Sequence, residues 1–350
     1  MGGMKGQRLL GIQAARGAAA LLVAVYHASR MVKLPQYAGR EGFGGVFAFG
    51  HAGVEFFFVL SGFIIYFVHH KDLGRAARFP RYAWRRLVRI YPSYWLVTAF
   101  ALALLFAKHQ SPSAEYLFTS LFLLPSPQDP IVSVAWTLVH EMLFYGVFAM
   151  AILNLRLGLA AMAIWIALIF VGRHHDLPVL AVLESARNLD FLIGIVAALI
   201  VLHVKVGRPV AVFLTGLCVF AGVGVAEDLD VLEWTGPLGS VLFGLGGGIM
   251  IVGLATAETG ERIKPGRIAE FFGGTSYLLY LVHIMVIGLT YRALSSAGVF
   301  KFLPGEIVVL GAVAGTVTIA ALLYRVFEKP VLAALQRFGQ QHVLAARSDA

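Results

Sequence analysis

Six ionisable side chains stand inside stretches of this sequence that are otherwise apolar enough to cross a membrane. Placing such a side chain at membrane depth costs at least about 2.5–3.5 kcal/mol, so these positions are typical of cavities, proton relays and substrate pathways. The set contains imidazoles that could act as bases near neutral pH, carboxylates that could orient them, and a guanidinium that could bind an anion. Its members are Arg16, His27, Glu55, His140, Glu141 and His283.

Arg16 and His27 lie eleven residues apart in the first apolar run. On an α-helix this spacing gives about 16 Å of rise and leaves the two side chains within roughly 20° of one face. Glu55 begins the next apolar run at nearly the depth where His27 ends the first, so the two could form a carboxylate–imidazole pair. The structural alternatives are an interfacial His27, a snorkelling Arg16 and a Glu55 that only complements a helix N-terminus.

Two further polar faces lie later in the chain. Glu141 stands ten residues into the apolar run 131–153, with Thr137 and Tyr145 one turn away on its own face. Such faces predict either a functional cavity or structural hydrogen bonds between helices. The second face belongs to the run 270–291 and consists of Ser276, Tyr280 and His283.

A cationic segment joins the second and third apolar runs, between His70 and Pro92. Guanidinium groups match phosphate oxygens, so the segment predicts a cytosolic, phosphate-rich ligand. The alternative is that it only sets the topology and contacts anionic lipid. Its cations are Lys71, Arg75, Arg78, Arg81, Arg85, Arg86 and Arg89, of which Arg78, Arg81, Arg85 and Arg89 recur at helical spacing.

The composition indicates that membrane-spanning helices position these residues. Of the 350 residues, 59% are hydrophobic and 13% are charged, whereas soluble domains carry about 25% charged residues. A span needs about 20 apolar residues, so we predict an all-α integral membrane protein with about ten transmembrane helices, the first retained as a span. The predicted spans are 9–28, 53–70, 92–107, 131–153, 157–172, 188–204, 209–226, 236–256, 270–291 and 305–327.

The distribution of cations predicts the orientation. With the N-terminus inside, nineteen Lys and Arg fall on the inner side and eight on the outer side, so both termini are predicted to be cytoplasmic. The net charge of +9 is thereby attributed to topology, and no nucleic-acid partner is expected. The predicted outer segment 227–233 holds four acids and no cation.

Metal and nucleotide motifs are not expected. Cys218 is the only cysteine, which excludes an intramolecular disulfide and a cysteine-pair zinc site. The group His174-His175-Asp176 has no matching second set of ligands. The glycine-rich stretches 39–53 and 244–248 do not contain the G-x-G-x-x-G pattern of dinucleotide-binding loops.

Six motifs in order, covering nearly the whole chain, resemble those of a known family. The first is the Arg-x10-His pattern of Arg16 and His27. The others are GVEFFFVLSGFII (53–65), RRLVRIYPSYW (85–95), VAWTLVHEMLFY (134–145), NLDFLIGIVAA (188–198) and SYLLYLVH (276–283). Together they resemble membrane acyltransferase family 3, the multi-span O-acyltransferases of bacterial surface and exported polysaccharides. Glu55 stands where the family has Asp, and VAWTLVHEMLFY is particularly similar to the exopolysaccharide-production acetyltransferase subgroup.

The resemblance implies transfer of an acyl group, most simply acetyl, from cytosolic acyl-CoA to a hydroxyl of a polysaccharide or its lipid-linked precursor. On this interpretation His27 is the general base, and Glu55 or Glu141 orients it or holds the acceptor. Acyl-CoA is a substrate, and no permanently bound cofactor or metal is expected. The residues expected to hold the CoA head are Arg16, Arg85, Arg86 and Arg89, and those expected to bind the acceptor are Trp136, Tyr145, Ser276, Tyr280 and His283.

The same interpretation predicts a multi-pass protein of the bacterial inner membrane, with polysaccharide assembly proteins as further partners. It predicts one transmembrane domain over 1–330 and a short cytoplasmic tail over 331–350, without the esterase-like domain of some relatives. The alternatives are a transporter or flippase of a polysaccharide precursor, or a structural partner of an assembly complex. Dependence on a thioester would separate the enzyme from the transporter, which should often also show two related halves.

Overall fold

The computed structural model of the chain describes residues 9–172, 177–229, 231, 236–260 and 266–345. Within these ranges the regular secondary structure is helical and contains no β-strand, so the predicted all-α fold class is confirmed. The predictions made for the following residues lie outside the described ranges: the group His174-His175-Asp176, the acids Asp230 and Glu233, and the cations Lys5, Arg8, Arg173, Arg262, Lys264 and Arg347.

Thirteen α-helices occur in the described ranges, and each of the ten predicted apolar runs contains one. Nine helical segments there are long and apolar enough to cross a membrane, and the shorter apolar helix α6 corresponds to the tenth run. The chain is thus a multi-pass membrane protein. The helices are α1 Leu10–Met31, α2 Gly53–His69, α3 Phe79–Ala107, α4 Ala114–Phe122, α5 Trp136–Leu153, α6 Leu155–Val171, α7 Pro178–Leu183, α8 Leu189–His203, α9 Pro209–Asp228, α10 Pro237–Thr259, α11 Arg267–Ser296, α12 Gly305–Leu323 and α13 Lys329–Ala345.

Helix α3 begins well before the predicted start at residue 92. A proline in its first turn suits a helix start, because the missing N–H is one that has no partner inside the helix. The helix continues through Pro92. Arg85, Arg86 and Arg89 therefore lie on a helix, whereas Arg78 precedes it in a 3-10 turn.

The chain divides into two compact units. The first consists of Met1–Phe67, Leu189–Tyr280 and Val286–Val317, and the second of Val68–Asn188, Leu281–Met285 and Thr318–Ala350. One core cluster of the first unit is built from buried apolar side chains of α1, α2, α8, α9 and α10.

Glycines allow the helices of the first unit to pack at backbone distance, as small residues do between membrane helices. A Cβ on Gly62 of α2 would overlap the carbonyl oxygen of Phe191, and one on Gly194 of α8 would overlap that of Val59. The stretch 244–248 serves the same purpose, since its four glycines are buried inside α10. The glycine-rich stretch is thus a packing surface, in agreement with the expectation that it is not a nucleotide loop.

The second unit is organised around α3. Tyr82 of α3 donates a hydrogen bond to the carbonyl oxygen of Tyr145 in α5, at 3.0 Å. Trp84 donates to the carbonyl oxygen of Leu335 in α13, at 3.2 Å, and a Cβ on Gly339 would overlap the Trp84 indole. Residues 331–345, which we predicted as a tail, are therefore helical and pack against α3, while the domain division itself stays a prediction.

Candidate active site

Arg16 is bound by α11, the helix that carries the SYLLYLVH motif. Its Nε donates to Ser276 Oγ at 2.8 Å, and its Nη2 donates to the carbonyl oxygen of Gly273. Helices α1 and α11 pack closely beside Arg16, because a Cβ on Gly17 would lie 2.7 Å from Phe272 Cβ. The structure thus brings together two residues that we predicted for different ligands, Arg16 for CoA and Ser276 for the acceptor.

His27 lies inside α1, because the helix extends to Met31 rather than ending at residue 28. Its side chain is half-buried, and its ring lies 4.9 Å from the ring of Tyr26, edge to face. The 3-10 turn before α2 packs on this part of α1, since a Cβ on Gly50 would lie 2.8 Å from Tyr26 Cβ. The chain segment that leads into Glu55 therefore runs along the helix that carries His27.

Glu55 is one of the buried carboxylates of the first unit, with 3% of its surface exposed. Ser240 Oγ of α10 donates a weak hydrogen bond to Glu55 Oε1 at 3.4 Å. Two residues later, the ring of Phe57 lies 5.4 Å from that of Tyr280, so α2 contacts the polar face of α11. The direct pairing of Glu55 with His27 stays a prediction.

In the second unit, Glu141 and Tyr145 are joined as their spacing predicts. Tyr145 Oη donates a short hydrogen bond to Glu141 Oε1. The Arg86 guanidinium lies over the Tyr145 ring, with its Cζ 5.7 Å from the ring centroid, which is within the range of a cation–π contact. Arg86, Tyr145 and Glu141 thus form a continuous polar chain from α3 to α5.

The predicted CoA-binding arginines of α3 have different environments. Arg85 is exposed and Arg86 is half-buried. Arg89 Nη1 forms an ion pair at 2.5 Å with Oε1 of Glu328, whose side chain is fully buried. Glu328 ends a π-helical turn between α12 and α13. Arg89 therefore stabilises the packing of the second unit, which leaves Arg85 and Arg86 as the more accessible cations for an anionic ligand.

Trp136 and its neighbours form a separate cluster of the second unit. The Trp136 ring lies 5.6 Å from the ring of His140 and 5.4 Å from the Arg187 guanidinium. His140 Nδ1 is hydrogen-bonded to Asn188 Oδ1 at 2.9 Å. The cluster orients an aromatic face at the start of α5. His283, the last of the predicted acceptor-binding residues, is completely buried in α11.

A pair of ionisable residues in the first unit was not predicted from the sequence. His51 Nε2 lies 3.0 Å from Glu227 Oε2, and the Glu227 side chain is 5% exposed. Glu227 was predicted to belong to an outer acidic segment, but Glu227 and Asp228 are the last residues of α9. No spacing could reveal a pair separated by 176 positions. No cluster of metal ligands occurs among the described residues.

Comparison with known proteins identifies the family. The family model of the acyltransferase domain, Acyl_transf_3, matches residues 9–325, a range that contains all six motifs. The chain belongs to acyltransferase family 3. The predicted resemblance is confirmed, and the protein is an acyltransferase rather than a transporter or a structural partner.

One relative extends the comparison. The exopolysaccharide production protein ExoZ of Rhizobium meliloti (strain 1021) is 31% identical over 306 residues, and the alignment covers 82% of this chain and 90% of ExoZ. No solved structure matches the chain significantly.

Proposed function

We propose that this acyltransferase moves an acetyl group from cytosolic acetyl-CoA to a hydroxyl of an exported polysaccharide or its lipid-linked precursor. The name of the relative ExoZ supports an exopolysaccharide acceptor. The bias of Lys and Arg supports cytoplasmic termini in a bacterial inner membrane, and polysaccharide assembly proteins would be the partners there.

The contact of Arg16 with α11 carries this proposal. An arginine inside a membrane span is costly, so hydrogen bonds from Arg16 to two acceptors on a second helix support a specific structural position rather than a snorkelling side chain. The bond fixes the rotation of α1. Because His27 shares a face with Arg16 to within roughly 20°, its imidazole is held in a defined direction as well.

His27 is the proposed general base. An imidazole nitrogen takes the proton of the acceptor hydroxyl while the hydroxyl oxygen attacks the thioester carbonyl carbon. The tetrahedral intermediate collapses with cleavage of the C–S bond, and the imidazolium returns the proton to the CoA thiolate. The products are the O-acyl ester and free CoA. An acyl-His27 intermediate is the alternative route, and Glu55 or Glu141 would orient the base or hold the acceptor.

Arg85 and Arg86 are the proposed principal contacts of the CoA phosphates. Arg85 is exposed on α3, and guanidinium groups bind phosphate oxygens with two parallel hydrogen bonds. Arg86 already lies on the Tyr145 ring, so a phosphate held there would be close to the chain that leads to Glu141. Arg16 and Arg89 have partners on α11 and in the π-helical turn, and their proposed contribution to CoA binding is secondary. Trp136, Tyr145, Ser276, Tyr280 and His283 remain the proposed acceptor contacts.

The test is transfer of labelled acetyl from acetyl-CoA into saccharide and lipid fractions by membranes that contain the protein. We expect label with the wild type and none with His27→Ala, at equal amounts of inserted protein. The matched control is His203→Ala, which removes an exposed imidazole at the end of α8 and should transfer normally. Transfer by His27→Ala would reject the base, and the absence of transfer by the wild type would reject acetyl-CoA as donor.

A further inference from the structure

A cavity of about 500 Å³ opens in the first unit near His27. Its volume is within the range of about 300–1,000 Å³ typical of pockets that hold small ligands. The rings of Tyr26, which lines the cavity, and His27 are 4.9 Å apart. The cavity is lined by Tyr26, Arg30, Gly44, Gly45, Val46, Ala48, His51, Glu227 and Asp228.

Glu227 gives the cavity a polar group that is ready to accept a hydrogen bond. Oε2 is bound by His51 at 3.0 Å, but Oε1 is buried and has no hydrogen-bond partner among the described residues. The side chain is 5% exposed. Leaving a buried carboxyl oxygen without a hydrogen-bond partner is unfavourable, so such a group in a native protein calls for an explanation. A ligand that donates to Oε1 supplies one.

The wall beside Glu227 is aromatic. The rings of Tyr26 and His51 meet edge to face with centroids 5.7 Å apart, and Arg30 Cζ lies 6.0 Å from the Tyr26 ring. Another part of the lining is bare backbone, since Gly44 and Gly45 have positive φ angles and a Cβ on either would meet nothing within 4 Å. The cavity thus combines a flat apolar face with hydrogen-bonding groups at its edge.

The charges favour a neutral ligand rich in hydroxyls. The lining contains two acids, Glu227 and Asp228, beside one guanidinium and one imidazole, which does not favour an anion. A metal ion is not favoured either, because the described residues contain no group of three or more metal-binding side chains. A sugar ring fits both features, since its hydroxyls donate to carboxylates and its C–H faces pack on aromatic rings.

We propose that this cavity is a subsite for the acceptor, additional to the acceptor contacts proposed above, in which Glu227 Oε1 accepts a hydrogen bond from a hydroxyl of the saccharide while the ring packs against Tyr26. The proposal rests on the proposed function, because it assumes that His27, next to Tyr26, activates an acceptor hydroxyl. It assigns substrate binding to His51 and Glu227, which lie in none of the six motifs, and gives Glu227 the role of a binding residue rather than that of the base.

The test is the Glu227→Gln variant, which keeps the shape of the side chain and removes its charge. With the acceptor fraction that takes label from the wild type, we expect the KM for the acceptor to rise about tenfold or more, the change that corresponds to about 1.4 kcal/mol. The KM for acetyl-CoA should stay within about twofold. A purely structural role of Glu227 would lower kcat or the yield of protein without separating the two KM values.

The matched control is Glu258→Gln, the same chemical change at a second carboxylate of the first unit. Glu258 Oε2 accepts from the backbone N–H of Gly11 at 2.9 Å and does not line the cavity, so the KM for the acceptor should not change. An unchanged acceptor KM in Glu227→Gln, with transfer by the wild type intact, would overturn the subsite alone. No transfer by the wild type would overturn the proposed function and the subsite with it.

A second measurement applies if Glu227→Gln does not accumulate. Val46 lines the cavity and is 62% exposed, so Val46→Cys in a Cys218→Ser background gives a single thiol at its entrance. The acceptor fraction should slow labelling of this thiol by a maleimide several-fold, and acetyl-CoA should not. Equal labelling rates with and without the acceptor fraction would overturn the proposal.

Discussion

The hydrogen bond between Arg16 and Ser276 offers a direct test of how α11 holds the catalytic stripe of α1. Ser276→Ala removes the acceptor of Arg16 Nε, which lies 2.8 Å away, and leaves the Gly273 carbonyl as the acceptor of Nη2. Arg16→Lys keeps the positive charge, but one ammonium cannot reproduce the two fixed donors of the guanidinium. The two variants therefore share the loss of one bond.

The expected loss of kcat/KM follows from the free energy of that hydrogen bond. A hydrogen bond to a charged group contributes about 1.5–3 kcal/mol, and we take the lower value because Arg16 is half-buried. Each 1.36 kcal/mol corresponds to about a tenfold change in rate, so Ser276→Ala should lower kcat/KM about tenfold. Arg16→Lys, which also weakens the bond to Gly273, should lower it about tenfold to hundredfold.

The double variant distinguishes a shared bond from two separate effects. If the Nε–Oγ bond is what both substitutions remove, the double variant should be within a few-fold of Arg16→Lys alone, a coupling of about 1–1.5 kcal/mol. The assay is the initial rate of labelled acetyl transfer, normalised to the amount of monodisperse protein. Thr275→Val is the control, because the Thr275 hydroxyl bonds only to carbonyl groups of its own helix in the contacts described.

Effects of Arg16→Lys and Ser276→Ala that simply multiply in the double variant would refute this reasoning. They would mean that the bond carries no coupling and that Arg16 acts through another contact. A loss of activity in Thr275→Val as large as that in Ser276→Ala would also count against it, because any change of a hydroxyl on α11 would then suffice.

Two further predictions concern the packing of each unit. Gly62→Ala should lower the thermal unfolding midpoint measured by size-exclusion chromatography, because its Cβ would overlap the carbonyl oxygen of Phe191 and overpacking costs about 1–3 kcal/mol. The control Gly146→Ala should leave the midpoint unchanged, because its Cβ would have nothing within 4 Å. Equal midpoints for the two variants would contradict the prediction. Glu328→Gln should destabilise the second unit by about 2 kcal/mol, because it leaves Arg89 without its buried counter-charge. Replacing both Arg89 and Glu328 with leucine should recover part of the lost stability. If it does not, Glu328 stabilises the second unit through a contact other than the ion pair.

The sequence predicts the spans well because the length of an apolar run alone decides whether a helix can cross a membrane. The predicted span began later than α3 because the first turns carry Arg81, Arg85 and Arg86, which lower the hydropathy without disfavouring a helix. Helix α4 was missed because a nine-residue segment is too short for a span. Its N-cap, Ser113 accepting from the N–H of Tyr116, was the available signal.

The candidate site was predictable only where it depends on local spacing. Glu141 and Tyr145, four residues apart, were predicted to share a helix face, and they are joined by a hydrogen bond. The bonds of Arg16 to Ser276 and of His51 to Glu227 join positions separated by 260 and 176 residues, and no periodicity specifies which helices become neighbours. Glu227 was assigned to a loop because acids at the end of an apolar run favour that interpretation, whereas it lies in the last turn of α9 and is bound by the half-buried His51.

Two bonds to α11 define how α1 presents its polar face. Arg16 is bound by Ser276 at one end of the stripe, and near the other end Tyr291 Oη donates to the carbonyl oxygen of Ala28 at 3.0 Å. Arg16 precedes Ala28 on α1 as Ser276 precedes Tyr291 on α11, so the two helices run parallel. Neither rotation nor sliding of α1 is then free at His27, which lies beside Ala28. Under the proposed function this arrangement is useful, because a base must stay within hydrogen-bond reach of the proton that it removes, while the donor arm and the saccharide both have to move.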